Sequence, residues 1–306
     1  MRITKTFHDS KERLHIVKDD KIILTVAPWY GAKLTQVKLY AKDTWNDILW
    51  PVSDEDLKTN AWFKQSILFP YPNRLEDGQY SFEGNTYQWP INEEDKHNQL
   101  HGMVYDHPFE VVSAEASSES ATIVLIHRYD GSLDYYPFAY DLEVTYHYEY
   151  DQLITSFKVV NKGKRNMPFG LGWHPYFQIN GKGIAGYTFH AGQVEEIELS
   201  DRSLPTGKRE QLPEIKFPLC EMSLDNAYQL KNTPYSYSLE TRQGLTLKFD
   251  ASDEMDYMQI FTPEGGETVA IEPMTANINS FNNGDGIRIL EPGTEFNCQA
   301  TLSILS

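Results

Sequence analysis

The segment from Tyr140 to Tyr150 alternates without a break between apolar or aromatic side chains and polar ones. The alternation resumes after Asp151-Gln152 and continues to Val159. A period of two residues is typical of a strand with one buried face. We therefore expect two strands that are joined in a hairpin.

The C-terminal end of the chain carries the same pattern. Apolar side chains alternate with polar ones from Phe296 to Ile304, so that each kind shares one face of an extended chain. This pattern predicts a closing strand. Cys298 lies on the apolar face, and we expect it to be a small core residue.

Turn dipeptides separate short β-type runs along the whole chain. They are Asp77-Gly78, Asp130-Gly131, Asn180-Gly181, Asn283-Gly284 and Pro292-Gly293. Sustained helical periodicity is nearly absent, and the best candidate is a short helical turn within Asp54 to Lys64, which acidic residues open. No Gly/Ser-rich linker or low-complexity tract divides the chain. The sequence therefore predicts an all-β protein with little helix, and residues 1–306 as a single domain.

Composition supports this interpretation and excludes some partners. With 306 residues, 40% of them hydrophobic and 13% aromatic, the chain can form a sizeable core. The formal net charge of -17 disfavours nucleic acid and anionic membranes as partners. No stretch approaches the roughly 20 apolar residues that a membrane helix needs. We expect a cytoplasmic protein, either a monomer or a homodimer.

Cysteines and histidines bear on metal binding. Cys220 and Cys298 lie far apart and without Cys-x-x-Cys spacing, so they predict neither a disulfide framework nor a thiolate metal site. His97, His101 and His107 invite a metal-site hypothesis, but a glycine and a proline interrupt any helical histidine face among them. We expect no metal site.

Four segments have compositions that strand formation alone does not explain. In the first, Pro70 and Pro72 fix the backbone beside Asn73 and Arg74. The Arg74 guanidinium can donate two hydrogen bonds to ligand oxygens in a bidentate manner. The alternative to this binding role is a surface ion pair with the acidic residues at 76 or 77. In the second, Gly102 allows a close backbone approach next to the His101 imidazole.

The third and fourth segments supply a candidate acid and a candidate base. His174 follows Gly172-Trp173 and precedes Pro175, which holds it extended, and proton transfer is its natural use. Trp173 fits either a pocket wall or a sandwich core. Glu272 lies at the end of an apolar run before a proline, which implies a strand end. Partial burial would make Glu272 a stronger base, and the alternative is a carboxylate that backbone amides satisfy.

Two further polar residues stand in apolar surroundings. Asp225 follows Leu224, and Gln259 lies between Met258 and Ile260. Either side chain can bind sugar hydroxyls or form a buried structural hydrogen bond.

Taken in order, these motifs resemble the aldose 1-epimerase (galactose mutarotase) family, and the resemblance spans essentially the whole chain. The motifs are Pro72-Asn73-Arg74-Leu75, Leu100-His101-Gly102, Trp173-His174-Pro175-Tyr176-Phe177, Leu224-Asp225 and Ile271-Glu272-Pro273. The resemblance implies a large twisted antiparallel β-sandwich that opens a pyranose ring, rotates the C1–C2 bond and recloses the ring without a cofactor.

The resemblance also implies roles for the candidate residues. Glu272 would remove the proton of the anomeric hydroxyl, His174 would donate a proton to the ring oxygen, and His101 would assist. The implied substrate-binding residues are Arg74 with Asn73 beside it, Asp225, Gln259 and Trp173. On this basis we expect Trp173-His174-Pro175 and Ile271-Glu272-Pro273 to form opposite walls of a pocket for a neutral sugar.

Some positions depart from the family pattern and leave the sugar open. Met274 to Asn277 and Gly172-Trp173 differ from the best-known galactose mutarotases and resemble a less characterised bacterial branch. One alternative is a hexose-6-phosphate mutarotase, with a phosphate cradle built from residues such as Arg74, Arg128 or Lys182. Another is a non-catalytic sugar-binding or sensing protein on the same fold.

Overall fold

The computed structural model describes residues 1–219, 223–263 and 265–306. Within these ranges the chain forms short helices α1 (Asp54–Thr59) and α2 (Ser280–Asn283), and 3₁₀ turns at Ala61–Phe63, Val104–Asp106 and Ile179–Gly181. The remaining elements are strands, which are in chain order β1 (Arg2–His8), β2 (Lys11–Lys18), β3 (Lys21–Ala27), β4 (Lys33–Ala41), β5 (Thr44–Asp47), β6 (Ser66–Leu68), β7 (Arg74–Glu76), β8 (Gln79–Phe82), β9 (Asn85–Gln88), β10 (Asn98–Leu100), β11 (Glu110–Ala116), β12 (Ser120–Tyr129), β13 (Tyr140–Glu149), β14 (Gln152–Asn161), β15 (Met167–Phe169), β16 (Gly172–His174), β17 (Tyr176–Phe177), β18 (Thr188–Ala191), β19 (Val194–Leu199), β20 (Pro205–Leu212), β21 (Ile215–Pro218), β22 (Asp225–Leu230), β23 (Tyr235–Glu240), β24 (Thr246–Ala251), β25 (Tyr257–Phe261), β26 (Val269–Met274), β27 (Arg288–Leu290) and β28 (Glu295–Leu305).

Three sheets contain most of these strands. A five-stranded sheet has the order β1-β2-β3-β4-β5, and a nine-stranded sheet has the order β11-β12-β13-β14-β28-β24-β23-β18-β21. An eight-stranded sheet has the order β20-β19-β22-β25-β26-β16-β6, with β17 also paired to β26. The fold is therefore all-β with little helix, as the turn spacing and the alternating segments predict.

The predicted hairpin is formed by β13 and β14 in the nine-stranded sheet. Alternate residues of β13 from Tyr140 to Tyr148 are fully buried, while those between them are partly exposed. The register pairs Glu149 with Gln152, so Tyr150 and Asp151 form the turn, one residue earlier than predicted. Both turn residues have positive φ, 46° and 56°, as a two-residue turn with the twist of the strands requires.

The predicted closing strand is β28, which lies between β14 and β24 in the centre of the nine-stranded sheet. Cys298 is buried on its apolar face, which confirms its prediction as a core residue. Cys220 lies outside the described residues.

Aromatic contacts join the two large sheets. Phe177 of β17 packs edge-on against Phe249 of β24, with ring centroids 4.8 Å apart. Phe69 packs against Tyr140 of β13 in the same geometry, with centroids 4.6 Å apart. These contacts bury large apolar surfaces between the sheets and form part of one continuous core.

The predicted helical turn is α1, and it ends in an unusual segment. Ser53 caps α1, because its hydroxyl accepts a hydrogen bond from the Asp56 backbone and the Asp56 carboxylate accepts one from the Ser53 backbone. Asn60 ends the helix with a φ of 51°. Segment 60–65 follows, in which Trp62, Phe63 and Gln65 also have positive φ.

Two short strands of the eight-stranded sheet, β16 and β17, run beside β26 next to the site. Pro175 separates β16 from β17, and both pair with β26 on the same side. The backbone N–H groups of Ile271 and Thr275 donate across this side to Pro175 and Leu171. Pro273 lies between those two donors and has no N–H to donate to the facing strand. The strand continues through Pro273 to Met274, two residues beyond the predicted strand end at Glu272.

No helix among the described residues is long and apolar enough to cross a membrane.

Candidate active site

A cavity of about 370 Å³ opens on one face of the eight-stranded sheet. It brings together seven of the eight residues that the sequence singles out for the site, from segments far apart in the chain. These residues are Asn73, Arg74, His101, His174, Asp225, Gln259 and Glu272.

Cross-strand pairing explains why several of these side chains share one face. Glu272 pairs with Gln259 across β26 and β25, and Gln259 pairs with Ala227 on β22. In the next row with the same orientation, Phe261 pairs with Asp225 on one side and with Ala270 on the other. Because residues two apart in a strand face the same way, both rows point into the cavity, and the small alanines leave room above the sheet.

Trp173 does not line the cavity, and its prediction as a substrate-binding residue is wrong. It lies between Gly172 and His174 in β16, and adjacent side chains in a strand point to opposite faces. His174 faces the cavity, so Trp173 faces the core, where its side chain is 1% exposed. The core alternative, which the sequence left open, is the one that the structure supports.

His174 and Glu272 are neighbours, so the expectation that their segments form opposite walls is also wrong. The imidazole Nε2 of His174 lies 3.2 Å from Oε1 of Glu272. Gly172 pairs with Met274 and Tyr176 pairs with Ala270, and this shared antiparallel register places His174 directly opposite Glu272. Glu272 is only 2% exposed, and its other oxygen, Oε2, has no hydrogen-bond partner among the described residues.

Burial shifts both members of this pair toward their neutral forms. Burial raises the pKa of Glu272 well above its ordinary value, the charge of Asp225 raises it further, and Arg74 opposes the shift. Burial also lowers the pKa of His174 to about 3. Burial therefore disfavours the charged form of each side chain.

His101 is held as a neutral hydrogen-bond donor. The backbone N–H of Asn73 donates to its Nδ1 at 3.2 Å, so the neutral ring carries its proton on Nε2. Burial lowers the pKa of His101 well below its ordinary value, and neighbouring His174 adds to this effect. The His101 ring stands edge-on to His174, with centroids 5.2 Å apart.

The close backbone approach expected at Gly102 is present. Gly102 has a φ of 68°, and a Cβ at this position would overlap with the carbonyl oxygen of Phe69. The backbone N–H of His101 donates to the carbonyl of Asn73 at 2.9 Å. Glycine at 102 thus allows the loop that carries His101 to dock against the segment that carries Asn73 and Arg74.

Arg74 is oriented by a carboxylate that the sequence did not indicate. Its Nε and Nη2 donate to Glu93 at 2.9 to 3.1 Å, and its Nη1 lies 3.6 Å from Asp225. Asn73 accepts hydrogen bonds from both the backbone and Nη1 of Arg74. The predicted alternative for Arg74, an ion pair with Glu76 or Asp77, is wrong, because the partner of both is Arg202.

Asp225 and Gln259 form a hydrogen-bonded pair within the cavity. Gln259 Nε2 donates to Asp225 Oδ1 at 2.6 Å. Gln259 Oε1 is buried and has no hydrogen-bond partner among the described residues. With Glu272 Oε2, it gives the cavity two buried acceptors that ligand hydroxyls can satisfy.

Sequence reasoning missed several residues of the cavity wall. Trp62 and Phe63 project from segment 60–65 into the cavity wall. The only sequence feature that could have indicated them is that two aromatic residues stand side by side between a helix end and a lysine. Glu93 and Lys96 belong to a charged run that is typical of a solvated loop, so no local signal marked them. Phe261 had only the signal of strand alternation.

The three histidines considered as metal ligands do not meet. His101 lines the cavity, whereas exposed His97 contacts Asp77 and exposed His107 contacts Asp106. Across residues 1–219, 223–263 and 265–306, no group of three or more His, Cys, Asp or Glu side chains is placed to hold a metal ion.

Comparison with known protein families shows to which family the chain belongs. The aldose 1-epimerase family model matches residues 14–303. The chain belongs to this family. Aldose 1-epimerases act on sugars, which agrees with a cavity lined by buried hydrogen-bonding groups and aromatic rings.

Relatives in bacteria are similar over most of their length. The uncharacterized protein YihR of Escherichia coli K12 is 26% identical over 237 residues, which cover 74% of each chain. The plasmid-encoded protein LacX of Lactococcus lactis is 24% identical over 273 residues, which cover 83% of this chain and 85% of LacX.

Solved structures confirm the predicted fold class. A galactose mutarotase-like protein from Clostridium acetobutylicum superimposes with a TM-score of 0.89 at 21% identity, covering 100% of this chain and 98% of that one. Galactose 1-epimerase from Lactobacillus acidophilus superimposes with a TM-score of 0.82 at 16% identity, covering 99% and 98%. The chain therefore has the large antiparallel β-sandwich of galactose mutarotase-like proteins.

Proposed function

We propose that this aldose 1-epimerase family member interconverts the α and β anomers of a free, neutral hexose by acid–base ring opening and reclosure. The observation that carries the proposal is the contact between His174 and Glu272, 3.2 Å apart at the buried end of the cavity. We also propose that residues 1–306 act as one domain, since the family match spans residues 14–303.

The adjacency of the pair suits the chemistry of an anomeric centre. Anomerisation removes a proton from the hydroxyl on C1 and delivers a proton to the ring oxygen, and both oxygens are bonded to C1. An acid and a base that serve two oxygens of one carbon must themselves be close. Neighbouring side chains on β16 and β26 therefore fit the reaction better than opposite walls would.

The proposed ring opening is balanced in protons and electrons. The Glu272 carboxylate takes the proton of the anomeric hydroxyl, and the C1–O1 bond becomes a carbonyl as the C1–ring oxygen bond breaks. The ring oxygen receives its proton from the His174 imidazolium. The open-chain aldehyde rotates about C1–C2, and the reverse transfers reclose the ring on the other face of the carbonyl.

The pair begins and ends this sequence with equal numbers of protons. The reactive form, Glu272 carboxylate with His174 imidazolium, contains the same protons as the neutral pair favoured by burial. Sugar hydroxyls that donate to Glu272 would favour the carboxylate form. Each opening transfers one proton to Glu272 and takes one from His174, and reclosure restores the starting state without a cofactor.

The remaining residues have proposed binding roles. His101 donates from Nε2 to the oxygen on C1 and stabilises its developing charge. Arg74, held by Glu93 and Asn73, binds ring hydroxyls together with Asp225 and Gln259.

The three cations considered for a phosphate cradle give little support to a hexose-6-phosphate substrate. Of the three cations considered for a phosphate cradle, Arg74 is paired with Glu93, and Arg128 is paired with Glu110 on the surface. Lys182 is not among the cavity residues. The non-catalytic alternative is disfavoured because both the acid and the base are present and in contact.

Polarimetry on freshly dissolved α anomers tests the proposal. A panel of neutral and 6-phosphorylated aldoses, including α-D-glucose and α-D-galactose, should show faster mutarotation for neutral members in proportion to protein concentration. Preference for the phosphorylated members would favour the hexose-6-phosphate alternative. No acceleration with any aldose would exclude mutarotation.

A further inference from the structure

Segment 60–65 combines backbone strain with an exposed aromatic ring. Asn60, Trp62, Phe63 and Gln65 have φ values between 51° and 58°. Such values are outliers for bulky residues and persist only where surrounding contacts enforce them. Trp62 is 49% exposed, so core packing does not explain its conformation.

Buried contacts hold this segment from behind. The Lys33 ammonium, on a side chain that is almost fully buried, donates to Asn60 Oδ1 at 2.6 Å. The backbone N–H of Gln65 donates to the carbonyl of His174 at 3.0 Å. Between these anchors, Phe63 packs edge-on against His101 with centroids 4.6 Å apart. The fold thus fixes the segment at both ends and leaves the Trp62 ring at the cavity mouth.

A row of rings leads from the acid–base pair to Trp62. Tyr176 stacks on His174 with centroids 5.0 Å apart, and Phe261 lies 6.5 Å from Tyr176. The Trp62 ring lies 6.0 Å beyond Phe261, inclined by 34°. Phe261 is also two residues along β25 from Gln259, a displacement of about 7 Å from the row that contains Glu272.

Polar groups lie beside these rings, because Asp225 pairs with Phe261 across β22 and β25. Gln259 contacts Oδ1 of Asp225, whereas Oδ2 lies 3.4 Å from the Ser203 hydroxyl. Lys96 Nζ donates to that hydroxyl at 2.7 Å and lines the cavity. Lys96 has no ion-pair partner in the described part of the chain, so it can donate to a ligand.

We propose that Trp62 and Phe261, together with Lys96 of the same cavity wall, form an outer subsite that binds the glycosyl group of a reducing disaccharide. The aldose end of that disaccharide lies at His174 and Glu272. This inference rests on the proposed function, because the reaction places C1 at the buried pair and directs the far end of the sugar to the mouth. Aromatic rings offer an apolar face for a sugar ring, and the ammonium offers donors to its hydroxyls.

Variants at Trp62 separate the ring from the strained backbone. Trp62→Gly removes the ring and places a residue that readily adopts a positive φ at this position. Trp62→Ala also removes the ring, but alanine adopts a positive φ less readily. Trp62→Phe retains an aromatic ring. The substrates are α-lactose and α-D-glucose, because the reducing-end sugar of lactose is glucose. Both ring-removing variants should lower kcat/KM for lactose about three- to tenfold more than for glucose, and Trp62→Phe should restore most of the loss.

An equal fall for both sugars, or no additional fall for lactose, would overturn the outer subsite. Calorimetric titration with lactose and glucose tests the subsite without relying on turnover. In that measurement Trp62→Gly should raise the Kd for lactose three- to tenfold more than the Kd for glucose, and equal shifts would again overturn the proposal. Absence of turnover for every sugar, with the selective loss of lactose binding retained, would contradict only the proposed function.

Discussion

Nε2 of His174 lies 3.2 Å from Oε1 of Glu272, although the two residues come from strands that are far apart in the sequence. Gly172 pairs with Met274 and Tyr176 pairs with Ala270, and the register that these pairs share places His174 directly opposite Glu272. The site therefore depends on the register between these strands as well as on which residues line it.

Removing either member of the pair should abolish most turnover without unfolding the protein. Glu272→Gln removes the base, and His174→Asn removes the acid, while both variants retain similar volume. We expect kcat to fall about 10²- to 10⁴-fold in each, as measured by polarimetry. Far-ultraviolet circular dichroism should remain that of the wild type. His190→Asn, at an exposed position of β18, is the matched control, and near-normal rates in either site variant would refute the assignments.

Glu93 should affect substrate binding through Arg74. Glu93→Gln removes the carboxylate charge that pairs with the Arg74 guanidinium, so Arg74 loses its preferred orientation. We therefore expect KM to rise about three- to tenfold, with a smaller change in kcat. Glu94→Gln is the control, since Glu94 is the exposed neighbour of Glu93. If the two variants gave the same KM, Glu93 would have no positioning role.

Trp173 should contribute to stability and not to substrate binding. Its Nε1 is buried without a hydrogen-bond partner among the described residues, so Trp173→Phe removes packed volume and no hydrogen bond. We expect the free energy of unfolding to fall by about 1–3 kcal/mol, less than for truncation to alanine. Urea denaturation measures this loss, and KM should stay near the wild-type value. A raised KM at unchanged stability would show that Trp173 contributes to substrate binding.

Lys33 should make stability increase with pH just above neutrality. Burial lowers its pKa to about 7 in the folded protein, against an ordinary value of 10.5, while the charges of Asp106 and Asp56 oppose the shift. Between these pH values the unfolded chain binds more protons than the folded one, so stability rises as pH rises. Tyr30, His101 and His174 also lie near Lys33.

Comparison of the wild type with Lys33→Met isolates this effect. From pH 7 to pH 8.5 the wild type should gain up to about 1.4 kcal/mol of unfolding free energy per pH unit relative to the variant. Urea denaturation at several pH values measures both slopes. Parallel slopes would show that Lys33 keeps an ordinary pKa in the folded protein.

Alternation and turn chemistry predicted much of the fold because they are local properties. The β13–β14 hairpin and β28 follow from a two-residue period, and even the one-residue error in the turn reflects register, which depends on pairing between strands. The same alternation also predicts the direction in which the Trp173 side chain faces. Once His174 faces the cavity, its neighbour in the same strand must face the core.

The remaining features depend on contacts between distant segments. The contact between His174 and Glu272 requires the register that pairs Gly172 with Met274 and Tyr176 with Ala270. The ion pair of Arg74 with Glu93 requires a loop to fold back beside β7, and Glu93 gave no local sign of it. The segment that carries Trp62 is likewise held by a hydrogen bond from Lys33 to Asn60, and no sequence pattern connects Lys33 with this segment.

Exchange spectroscopy between anomers at equilibrium tests the central claim most directly. In a proton NMR experiment on neutral aldoses, the H1 resonances of the α and β forms should show exchange cross-peaks that grow with protein concentration. The same cross-peaks should be lost with His174→Asn. Exchange that no aldose in the panel shows above its spontaneous rate would contradict the account.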